Sequence, residues 1–131
     1  MAAMIEIHDL VKRYGKKLAL DGISMTVGEG EIVGFLGPNG AGKSTTMNIL
    51  TGYLSSTSGE VKIDGLDILD DPTEAKKRIG FLPEQPPLYT EMTVGEYLNF
   101  VYELKSCRLD RRAHLDEVMQ VTRIKDVRDR V

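Results

Sequence analysis

The 131 residues contain no tryptophan and a single cysteine. Cys107 can close no internal disulfide and has no metal-ligand neighbours at the usual spacings. At helical spacing behind Leu104 it reads as a small buried apolar side chain. Long hydrophobic runs are also missing. The richest, residues 32–36 (Ile-Val-Gly-Phe-Leu), is bounded by Glu31 and Gly37, far short of the roughly 18 residues of a membrane span. Glu6 and Asp9 interrupt the start before a secretory apolar core could form. Charge of one sign is lacking too: 17 Lys and Arg stand against 20 Asp and Glu, a net −3. Residues 105–131 hold eight basic and five acidic side chains, a surplus of +3, so residues 1–104 carry −6. The basic end alternates in sign and lacks interleaved aromatics, so it reads as a solvated helix face, and no nucleic-acid partner is expected. His8 and His114 have no motif around them and read as ordinary surface or half-buried residues.

What is present is the composition of a globular domain, 41% hydrophobic and 28% charged. Residues 4–11 and 18–27 read as strands: Ile5, Ile7 and Val11 share one parity, and Ile23, Met25 and Val27 alternate with Ser24 and Thr26. Gly28-Glu29-Gly30 turns the chain into a strand at 32–36, expected to be buried. A helix over 43–53 follows, with Met47, Leu50 and Leu54 on one face. Val61 and Ile63 mark a short strand pair closed at Asp64-Gly65. Asp71, Pro72 and Glu74 predict a capping box and a helix ending before Gly80, with a short buried strand at Phe81-Leu82. Pro83, Pro86 and Pro87 enforce an irregular loop. Thr93 and Glu96 form a second capping box, opening a helix with Val94, Tyr97, Leu98, Val101 and Leu104 apolar. A last helix starts at Asp110, with Leu115, Val118, Met119 and Thr122 along one side.

Residues 37–45, Gly-Pro-Asn-Gly-Ala-Gly-Lys-Ser-Thr, fit the Walker A pattern between a strand and a helix. The chemistry explains the spacing. Glycines let several backbone N–H groups wrap a phosphate, and the helix start adds its positive end. Lys43 supplies a mobile cation for the β- and γ-phosphates, and the Ser44 hydroxyl suits Mg²⁺.

Several features together resemble the nucleotide-binding domain of ABC transporters, from Met4 to Val131. The loop reads GPNGAGKST, and residues 11–15, Val-Lys-Arg-Tyr-Gly, are similar to that family's aromatic loop. Tyr14, 23 residues before Gly37, would then stack on adenine. Ser58-Gly59-Glu60-Val61 and Asp64-Gly65 resemble the hairpin after the family's first helix. Residues 79–85, Ile-Gly-Phe-Leu-Pro-Glu-Gln, lie where the family has its Q-loop, with Glu84 in the position of the usual glutamine and Gln85 one later. Pro83-Glu84 together with Thr93-Val94-Gly95-Glu96-Tyr97-Leu98 looks most like bacterial exporters of the ABC-2 type. The resemblance implies ATP and Mg²⁺ as ligands. Asn39, Gly40, Ala41, Gly42, Lys43, Ser44 and Thr45 would hold the phosphates, with Ser44 and Glu84 on the metal and Lys43 and Glu84 catalytic. It implies an α/β fold, a partial P-loop NTPase core with an antiparallel β subdomain over residues 1–92 and the start of a helical subdomain over 93–131. Its partners would be transmembrane transporter subunits and a second nucleotide-binding domain, at the cytoplasmic face of the cell membrane.

The family's Ser-Gly-Gly signature, Walker B strand and switch histidine do not occur in these residues. Asp116-Glu117 follows Ala113-His114-Leu115 in an amphipathic helix and is not a Walker B pair. The chain is therefore read as part of an intact domain, inactive alone, and expected to self-associate through residues 32–36. Two alternatives stay open: a nucleotide-binding module that does not hydrolyse, and a soluble ATPase of this family acting on ribosomes or DNA.

Overall fold

The computed structural model describes residues 2–38 and 40–131. They form two compact units, Met1–Phe81 and Leu82–Val131.

The first unit is built on a hairpin of two long strands, β1 (Ala3–Tyr14) and β2 (Lys17–Gly28). Only Gly15 and Lys16 separate them, and Tyr14 pairs with Lys17, so Tyr14 ends a strand rather than sitting in a loop. β3 (Ser58–Ile63) and β4 (Leu66–Asp67) complete an antiparallel sheet of order β2-β1-β3-β4. Asp64 and Gly65 both have positive φ, as their hairpin turn requires. Ile7, Leu10, Leu20, Val61 and Ile63 from the sheet form one core with Ile49 of α1 (Lys43–Leu50) and Ala75 of α2 (Pro72–Lys76).

The expected parity of β1 fails at its middle. Leu10 is fully buried, whereas Val11 is only half-buried. The cause is an irregularity: the register shifts between Ile7 and Leu10, and Asp9 adopts φ 50°. The extra residue turns Leu10 toward the core. Asp9 is held there by Ser24, whose Oγ accepts from the Asp9 N–H at 2.9 Å. Gly59 packs directly on this bulge at φ 95°, and a Cβ there would come within 2.7 Å of Leu10 Cα.

Other local expectations are corrected. Residues 32–36 are in no strand and are exposed: Ile32 wholly, Leu36 at 93%. No neighbouring strand among the described residues pairs with them, so an apolar run expected to be buried stays open to water. Phe81-Leu82 likewise forms no strand, although the Phe81 ring lies 6.4 Å from that of Tyr53. α1 begins at Lys43 as expected but buries Thr46 and Ile49, while Met47 faces solvent. Asp71 makes no capping bond, because its backbone lies outside the extended region a cap uses, and Lys77 binds the Glu74 carboxylate at 2.9 Å.

In the second unit the Thr93 box is present. Thr93 Oγ1 accepts from the Glu96 N–H and Glu96 Oε1 accepts from the Thr93 N–H, each at 3.1 Å, at the head of α3 (Val94–Leu104). The next two amides of that turn, Val94 and Gly95, donate to the carbonyls of Arg130 and Arg128 at 2.8 and 2.9 Å. Asp110 caps α4 (Arg111–Val121) through the Ala113 N–H, and Met119 is buried, whereas Thr122 is exposed. Cys107 is half-buried and free.

Candidate nucleotide site

A phosphate cradle needs a backbone that side chains do not obstruct, fixed on a rigid floor. Gly42 supplies the first condition. At φ 98° it sits immediately before α1, in a conformation that L side chains rarely adopt. β2 supplies the second. A Cβ on Gly42 would stand 2.5 Å from Leu20 Cδ2 and 3.0 Å from the Ala19 carbonyl. Thr46, 1% exposed, fixes the following turn: its hydroxyl and its N–H both donate to the Gly42 carbonyl, at 2.8 and 2.9 Å.

Above this floor lies a cleft of about 220 Å³. The hairpin contributes Tyr14, Lys17, Leu18 and Ala19, and the loop and helix contribute Gly40, Gly42, Lys43, Ser44 and Thr45. Six expected residues, Tyr14, Gly40, Gly42, Lys43, Ser44 and Thr45, are thus brought together. Ala41 does not line the cleft, and its N–H donates to the Pro38 carbonyl at 3.1 Å. Asn39 lies outside the described residues. Glu84 and Gln85 are exposed and belong to the second unit. Lys17, Leu18 and Ala19 were not anticipated. The tight Gly15-Lys16 turn, which folds β2 back beneath Tyr14, is the signal that marks them.

Lys43 donates to the carbonyls of Gly37 and Pro38, the second at 2.9 Å. An ammonium has three donors, so one remains for a ligand oxygen while two hold the side chain along the loop. The Ser44 hydroxyl is exposed and makes no hydrogen bond among the described residues. The donor set therefore fits a polyphosphate with a divalent cation: an open backbone turn at a helix start, one tethered cation and one free hydroxyl. Tyr14, 46% exposed at the same cleft, offers a flat apolar surface of the kind a purine stacks on.

This arrangement has the features a phosphate-loop nucleotide site on an α/β frame requires. The comparisons narrow the class. The profile of the ABC transporter family matches residues 20–131, and the chain belongs to that family. It is 36% identical over 121 residues, 92% of its own length, to the bacitracin transport ATP-binding protein BcrA of Bacillus licheniformis. It is 35% identical over 131 residues, 97% of its length, to the lipopolysaccharide export system ATP-binding protein LptB of Haemophilus influenzae. The structure of cbiO1 from Clostridium perfringens, part of the ABC transporter complex cbiONQ, superposes with a TM-score of 0.83 at 25% identity over 99% of the chain. The chain spans 39%, 54% and 54% of the lengths of these three proteins. The resemblance and the fold class stated from the residues are thereby borne out.

Proposed function

We propose that the chain carries the MgATP-binding half-site of an ABC transporter ATPase that powers export. The observation that carries this reading is the shared cleft, which the Tyr14 ring and the Gly40, Gly42 and Lys43 loop line together. Tyr14 stacks on the base, the loop amides and Lys43 hold the phosphates, and the Ser44 hydroxyl would hold Mg²⁺. The cation, when bound, neutralises the charge of the phosphate oxygens. Lys43 offsets the charge that grows on the γ-phosphoryl oxygens as water attacks. Glu84 lies on the loop that opens the second unit, ahead of α3. In the whole protein, two such domains close face to face at the cytoplasmic side of the membrane and drive the transmembrane subunits. Export is favoured by the relative from Haemophilus influenzae, which serves a lipopolysaccharide export system.

The test is a titration of a fluorescent ATP analogue into the wild type and Lys43→Ala. Charge-assisted hydrogen bonds contribute about 1.5–3 kcal/mol, so affinity is expected to fall roughly ten- to a hundredfold. Equal affinities would overturn the assignment.

A further inference from the structure

The aromatic end of the cleft has a support that the nucleotide reading does not use. Lys12 lies one turn of pleat before Tyr14 on β1, and its Nζ sits over the Tyr14 ring, 5.2 Å from the centroid. That distance is within the range of a cation–π contact. The same ammonium donates to the Ser55 carbonyl at 2.7 Å, in the segment that leaves α1. Two further bonds tie the strand to that segment. The Thr57 N–H donates to the Val11 carbonyl at 2.8 Å, and the Arg13 N–H donates to Thr57 Oγ1 at 2.9 Å. Lys12 is half-buried among these partners, so its head is fixed rather than swinging in solvent.

From this geometry we infer that Lys12 is a positioning residue for base recognition, holding the Tyr14 ring by one face so that the other receives the purine. Lys12 is not among the residues that line the cleft. It acts through the ring in two ways. Anchored on Ser55, it restricts the ring's rotation, which lowers the ordering that a base must impose on binding. Its charge also sits on the ring face, where the π-electrons are concentrated, so loss of the ammonium removes an attraction that keeps the ring in place. The inference rests on the proposal that Tyr14 stacks on the base, and it predicts that this tyrosine, 46% exposed, is ordered before ligand arrives.

The experiment separates the base from the phosphates. ATP and inorganic triphosphate are each titrated calorimetrically into the wild type, Lys12→Met, Lys12→Arg, Tyr14→Ala and the Lys12→Met, Tyr14→Ala double variant. Lys12→Met is expected to weaken ATP about two- to fivefold, the size of an exposed cation–π contact, and to leave triphosphate unchanged. Lys12→Arg keeps the cation and the donor and restores ATP affinity. In the Tyr14→Ala background Lys12→Met costs nothing further. Because the sequence has no tryptophan, Tyr14→Trp also gives a single emitter. Its anisotropy before nucleotide is added should fall when Lys12→Met is introduced. If Tyr14→Ala weakens ATP while Lys12→Met does not, the positioning role is overturned and stacking stands. An equal loss for ATP and triphosphate in Lys12→Met also overturns it, since Lys12 would then act on phosphate charge. If Tyr14→Ala binds ATP like the wild type, stacking itself fails, and the inference with it.

Discussion

Gly42 rests against Leu20: a methyl group on the glycine would stand 2.5 Å from Leu20 Cδ2, well inside van der Waals contact. One fully buried leucine of the hairpin thus sets the height of the phosphate loop. The contact joins the strand that follows Tyr14 to the turn that precedes Lys43, so the base and phosphate ends of the cleft share one floor.

Gly42→Ala is therefore expected to act twice, through a strained positive φ and through collision with Leu20. Left-handed backbone costs a non-glycine residue about 1–2 kcal/mol before any clash is counted. Thermal unfolding should show a loss larger than that, and titration with ATP at a temperature where the variant is folded should show binding weakened more than tenfold, a difference of about 1.4 kcal/mol. Adding Leu20→Ala relieves only the collision, so a double-mutant cycle should give a coupling above roughly 0.5 kcal/mol. Additive losses would show that the two residues do not press on each other.

Thr93→Ala removes one arm of the only reciprocal capping box described among these residues. The expected cost is about 1 kcal/mol in chemical denaturation, while Glu96→Gln retains the box and most of the stability. Amide exchange gives a sharper reading. The Glu96 amide should exchange faster, whereas those of Val94 and Gly95, bound to the Arg130 and Arg128 carbonyls, should change little. Uniform acceleration along α3 would mean that the cap organises more than its own turn.

These 131 residues are expected to bind MgATP without turning it over. Asp116, the one aspartate followed by glutamate, accepts hydrogen bonds or ion pairs from Gln120 at 3.2 Å and Lys125 at 2.8 Å on α4 and beyond. It stands in the second unit, engaged with its own helix, and positioning supplies most of phosphoryl-transfer catalysis. Phosphate release at saturating MgATP should stay below roughly one per minute. Faster release that disappears in Lys43→Ala would place a working carboxylate in the chain.

Self-association is expected through residues 32–36. Ile32 and Leu36 are exposed almost completely, and the segment has β-branched and aromatic side chains, no proline and no charge. Such a strand pairs readily with another copy, and its burial returns about 25 cal/mol for each Å² covered. Sedimentation at concentrations on the order of tens of micromolar should find dimers or larger species, with or without MgATP. Ile32→Lys combined with Leu36→Lys should return the chain to a monomer. A wild-type monomer in both conditions would overturn the expectation.

Local signals in the sequence were read where the cause is local. The β1–β2 hairpin, the Asp64-Gly65 turn, the Thr93 box and the helix start at Lys43 each depend on neighbours a few residues apart. What alternation could not show was set by contacts between distant segments. The bulge at Asp9 depends on Ser24 and on the close approach of Gly59, and it moves Leu10 into the place periodicity assigns to Val11. Thr46 is buried although polar, because its hydroxyl finds the Gly42 carbonyl within its own helix turn. Residues 32–36 were misread for the opposite reason: an apolar run implies burial only if another strand is there to cover it. In the site, motif spacing marked the loop and Tyr14, but Leu20 and Lys12 became visible only once the hairpin that carries them met Gly42 and Ser55.

The first unit also has a temporal consequence. Every residue that lines the cleft falls between Tyr14 and Thr45, and the compact unit around it is complete at Phe81. A ribosome adding 5–20 residues each second makes that unit in about 4–16 s. The proposed base and phosphate contacts are therefore all synthesised before Glu84, which the family resemblance places on the metal. On the proposed reading, a nucleotide would meet the cleft while residues beyond Phe81 are still being translated, and its binding would favour the native hairpin during the interval when the apolar segment at 32–36 is most open to other nascent chains.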